Sequence, residues 1–76
     1  MEQAKIFTTH DLLNVLDLKE YDEVIILDRK FRVRDLSSDK STSEVRLYLL
    51  DDYNNETNTY INLTTLVNRP YGVIRA

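Results

Sequence analysis

The spacing of apolar residues changes period once along the chain, near residue 22. Before it, Leu12, Val15, Leu16 and Lys19 recur at helical intervals and Leu13 widens the stripe. The segment has a start signal. Thr8 is suited to N-cap the helix, and Asp11 falls in the first turn, where its charge opposes the positive end of the helix dipole. Phe7 and Leu12 have the spacing of a hydrophobic staple. These features predict a helix over residues 8–20.

After residue 22 the pattern turns to short β-branched runs and period-two alternation. Val24–Leu27 reads as a buried strand and Asp28-Arg29-Lys30 as a tight connection. Residues 30–34 alternate, with Phe31 and Val33 on one face and Lys30, Arg32 and Arg34 on the other. The polar run Ser37–Ser43 predicts a loop. Strands follow at Val45–Leu50 and Thr59–Leu63, joined through Asp51–Asn58, whose asparagines tolerate positive φ in place of glycine. Thr64–Asn68 suits one helical turn, Arg69-Pro70 ends it, and Tyr71–Arg75 predicts a closing strand. The expected core is Leu12, Val15, Leu16, Val24, Ile26, Phe31, Val33, Val45, Leu47, Leu49, Ile61, Leu63, Leu66 and Ile74. The expected fold class is α+β in a single domain, residues 1–76, with the N-terminal helix packed on a bent antiparallel sheet of four to five strands.

Two hairpins, one helical turn and a short closing strand give residues 23–75 an element order that resembles an SH3-like small barrel, here preceded by a helix. Length and composition also resemble the short proteins of phages and mobile elements in low-GC bacteria.

Composition removes most chemistry. The chain has no cysteine, one histidine, one glycine and one proline in 76 residues. A thiolate zinc site is excluded, and Gly72 alone does not make a phosphate-cradling loop. A nucleophilic triad would have only His10 as its base, and His10 falls in the first turn of the expected helix as a surface residue. Asp22-Glu23 and Asp51-Asp52 are adjacent acids in turns, not a pair held across a cleft. Asp52, Asn54 and Glu56 alternate like calcium ligands but lack the glycine and late glutamate of an EF-hand loop. Neither a cofactor nor a metal is expected, and the protein is not expected to be an enzyme. No apolar run has the roughly 18 residues of a membrane span, and the N-terminus lacks a signal pattern, so a cytoplasmic protein is expected.

Charge is segregated. Residues 1–28 carry seven acids and two bases, residues 29–50 six bases and three acids, within a net charge of −3. Alternation places Lys30, Arg32, Arg34 and Arg46 with Tyr48 and Tyr60 on the outer sheet face, with Leu50 also outside and Thr59 inside. This is the candidate binding face. Its ordinary reading is a solvated face whose cations are neutralised by acids of the N-terminal helix. Its functional reading is a surface for a protein partner, in a small interaction or regulatory module that is a monomer or weak dimer. The alternative is a nucleic-acid accessory protein, since cations track phosphates and aromatic rings stack bases.

Overall fold

The computed structural model describes residues 5–14 and 16–76. In chain order the elements are β1 (Lys5–Ile6), α1 (Thr9–Leu13), β2 (Glu23–Ile26), β3 (Arg29–Asp39), β4 (Glu44–Leu50), β5 (Glu56–Asn62), a 3₁₀ turn (Leu63–Leu66) and β6 (Pro70–Ile74). The strands form one sheet in the order β1-β6-β2-β3-β4-β5, with every pairing antiparallel. The molecule is flat, 32 × 31 × 18 Å.

This corrects the expected class. Among the described residues strand outweighs helix 51% to 13%, the sheet has six strands and is open, and no helix reaches seven residues, so the long N-terminal helix expected to pack on the sheet is not there. The α+β class and the SH3-like barrel therefore do not hold. The start signal itself is real. Thr8 Oγ1 accepts from the Asp11 amide at 3.0 Å, and Asp11 Oδ2 accepts from the Thr8 amide at 3.0 Å, a complete capping box. The helix ends after five residues, however, instead of continuing to Glu20. Asn14 closes the turn, its backbone N–H and side-chain Nδ2 both donating to the His10 carbonyl at 3.1 and 3.0 Å. Beyond it Leu16 and Leu18 both pack on the core from chain that is neither helix nor strand, folded by a tight turn in which the Leu18 amide donates to the Leu16 carbonyl at 2.8 Å. A five-residue helix is too short to be stable alone, so burial of these leucines decides the local structure. Val15, an expected core residue, lies outside the described residues.

Asp22 ends this segment and is buried. It accepts hydrogen bonds from the backbone N–H of Lys19 (3.0 Å) and Ala76 (2.9 Å) and from the Arg75 guanidinium (3.0 Å). The Ala76 amide foremost, then that of Lys19, holds the carboxyl below its ordinary pKa.

Leu27 and Asp28 form the β2–β3 turn, with φ of 50° and 66°. Ile26↔Arg29 flanks it, so the loop has two residues with positive φ at both, the signature of a type I′ hairpin without its usual Asn-Gly pair. β3 is longer than expected, and Ser37, Ser38 and Asp39 pair with Arg46, Val45 and Glu44 instead of forming a loop. It is shared in succession. Arg29–Arg32 pair with β2, and the β4 register starts only at Val33↔Leu49.

The core joins Phe7, Leu12, Val24, Ile26, Val33, Val45, Leu47, Leu49, Leu63 and Tyr71, with Leu16, Phe31, Ile61 and Leu66 packed against it. Phe7 is fully buried, and its ring stacks on Tyr71 with centroids 3.9 Å apart. Ile74 is replaced by Val73, because β6 runs one residue out of the expected phase. Val24 pairs with Val73 on the inner face, whereas Ile74 opposes Glu23.

Candidate functional site

Two irregularities shape the outer face. Val33 pairs with Leu49 and Asp35 with Tyr48, so Arg34 is an extra residue, a β-bulge that leaves Arg34 and Asp35 side by side. A second register shift separates Tyr48↔Tyr60 from Leu50↔Glu56. It corrects two expected orientations, since Leu50 is buried and Thr59 exposed. Tyr48 and Tyr60 are direct cross-strand partners, with ring centroids 5.5 Å apart and planes tilted by 50°.

A cation covers each ring. The Arg34 guanidinium lies 4.9 Å from the Tyr48 centroid, and that of Arg46 lies 4.7 Å from the Tyr60 centroid. Arg34 crosses from β3 over β4 to β5, where Nη1 donates to the Thr57 carbonyl at 2.6 Å, while Nε donates to Asp35 at 3.3 Å. Arg46 Nη2 pairs with Glu44 at 3.1 Å. The result is a ridge in the order Arg34, Tyr48, Tyr60, Arg46. Tyr60 is 45% exposed, and the side chains of Arg34 and Arg46 are 24% and 41% exposed.

Lys30 and Arg32 belong to a separate cluster. Both meet Glu23, at 3.4 and 3.1 Å, and Arg32 Nη1 also donates to Asn54 Oδ1 at 2.5 Å. The Arg32 guanidinium first, with the Lys30 ammonium also contributing, holds Glu23 below its ordinary pKa. The face expected from sequence is thus two groups, a ridge of four and a charge cluster of two.

The counter-charges differ from expectation. Glu23, Asp35 and Glu44, all on strands, neutralise the cations in place of acids from an N-terminal helix. Register would have found Glu23, which opposes Arg32 directly, but Asp35 reaches the outer face only because of the bulge. Among the described residues no group of acids or histidine is arranged to hold a metal, and no helix is long and apolar enough to cross a membrane.

Comparison with protein families, with curated proteins and with solved structures finds no match to this chain.

Proposed function

We propose that the chain is a non-enzymatic protein-interaction or regulatory module whose partner docks on the Arg34–Tyr48–Tyr60–Arg46 ridge. The observation that carries this reading is the pre-organised stack, two partly exposed tyrosines each held under a guanidinium. Tyr and Arg are the side chains that most often anchor protein interfaces, and side chains already fixed lose less entropy on binding.

Two features favour a protein over the nucleic-acid alternative. Each ring has a face occupied by arginine, which a stacking base would have to displace. Lys30, Arg32, Arg34 and Arg46 each already meet a carboxylate, so few counterions remain to be released by a polyanion. The module is proposed to act in the cytoplasm as a monomer or weak dimer.

The test has two arms. In affinity capture from the native host, a partner retained by the unaltered chain is lost with Tyr60→Ala and Arg46→Ala, both of which keep the native circular dichroism. Labelled single-stranded and duplex oligonucleotides bind no tighter than high micromolar. Tight binding that weakens with salt at a log–log slope of about −2 on single strands, as three phosphate contacts require, would instead favour the nucleic-acid reading.

A further inference from the structure

β3 offers a second surface, away from the ridge. Over Arg29–Arg32 it has β2 on one side and no registered strand on the other, because β4 joins only at Leu49. The direction of its free backbone groups follows from the register. A two-residue hairpin makes its flanking pair, Ile26↔Arg29, the first hydrogen-bonded pair, and such pairs alternate along an antiparallel ladder. Val24↔Phe31 is then the next one. The same parity continues at Val33, whose N–H donates to the Asp22 carbonyl at 2.8 Å and whose carbonyl accepts from the Tyr21 amide at 3.0 Å. Residues 29, 31 and 33 therefore turn their backbone groups toward β2. Because both Val33 groups turn to β2, the Val33↔Leu49 pair closes through its neighbours, with the Leu50 N–H donating to the Arg32 carbonyl and the Arg34 N–H to the Tyr48 carbonyl. The N–H and C=O groups of Lys30 and the N–H of Arg32 also point away from β2 and, among the described residues, have no registered partner there.

They point into a cleft. β4 departs from β3 beyond Leu49, and the gap encloses about 320 Å³ between Glu23 and Arg29–Arg32 on one side and Leu49, Leu50, Asp51 and Asp52 on the other. That volume is at the low end of ligand clefts, roughly 300–1,000 Å³. Its charged lining balances, with Arg29, Lys30 and Arg32 against Glu23, Asp51 and Asp52. Much of that charge is already engaged. Glu23 pairs with Lys30 and Arg32, and Asp51 Oδ1 accepts the amides of Tyr53 and Asn55 at 2.8 and 2.9 Å. A strongly charged occupant would gain and lose in equal measure here.

We infer that this cleft is a strand-addition slot, in which a short, uncharged, extended segment of a partner protein pairs with the N–H and C=O of Lys30 and the N–H of Arg32. Main-chain hydrogen bonds supply the attachment and the cleft walls exclude other conformations. The slot adds to the protein-binding reading and uses none of the four ridge residues.

The probe is acetyl-Thr-Val-Thr-Val-Thr-amide, titrated into the labelled full chain and followed by amide NMR. The Lys30 and Arg32 amides should move downfield, and their hydrogen exchange should slow about tenfold at saturation. A peptide N-methylated at alternate residues keeps one ladder edge and should still bind, whereas one methylated on all five amides should not. Tyr60→Ala should leave the titration unchanged. The inference is overturned if no amide shifts up to the solubility limit of the peptide, or if both methylated peptides behave alike. Shifts confined to β5, or a titration abolished by Tyr60→Ala, would also overturn it while leaving the ridge as the docking surface.

Discussion

Replacing Leu27 by asparagine and Asp28 by glycine should stabilise the protein. Leu27 has φ 50° and Asp28 φ 66°, so both occupy the left-handed region. That region costs a side-chain-bearing residue about 1–2 kcal/mol, least for Asn and Asp and nothing for Gly. Leu27 is 55% exposed, so its removal forfeits little burial. Glycine at residue 28 returns about 0.5–1 kcal/mol through the greater freedom of the unfolded chain. The net gain is about 1 kcal/mol. In urea, where small proteins have slopes of about 1–3 kcal/mol per molar, the midpoint should rise by roughly 0.3–1 M. A far-UV spectrum and slope equal to the parent would show that the fold is unchanged. A midpoint that stays put or falls would refute the type I′ turn. The register built on it would fall too, and with it the outward direction of the Lys30 and Arg32 amides.

Thr8→Ala removes the capping box and should cost roughly 0.5–2 kcal/mol in the same assay; an unchanged midpoint would show that the cap contributes nothing. Phe7→Ala leaves a cavity against Tyr71 that should cost about 3–5 kcal/mol, most of the stability of so small a domain. A cooperatively folded Phe7→Ala variant with a near-native midpoint would contradict that placement. Asp22 has a lowered pKa in the folded state, so its contribution is present above its unfolded value, about 3.8, and is lost as pH falls through the lower folded value. Asp22→Asn should therefore be less stable than the parent at pH 7 and lose less stability between pH 5 and pH 2. Parallel pH profiles for the two proteins would refute this.

The legible parts of the fold were those written in local pattern. Alternation placed Val33, Val45, Leu47 and Leu49 inside and put Arg46 beside Tyr48 and Tyr60. The capping signal at Thr8 corresponds to a real capping box, but it says where a helix starts and nothing about where it stops. The spacing of Leu12, Val15 and Leu16 fits a helix, yet tertiary burial of Leu16 and Leu18 instead goes with a tight turn between them, which no local pattern announces. The bulge at Arg34 could not be foreseen, since no glycine or proline marks it. It decides that Arg34 spans three strands and that Asp35 shares its face. The cleft was equally hidden, because it arises where β4 leaves β3 and not from any motif.

The central claim is that a protein partner sits on the Arg–Tyr ridge. The most direct measurement places a photo-crosslinking phenylalanine analogue at residue 60, with a control at the exposed Thr42 of the β3–β4 turn. After irradiation in the native host, the ridge position should yield a discrete crosslinked protein that the control position does not. Crosslinks to nucleic acid at residue 60, or the same products from both positions, would contradict the account.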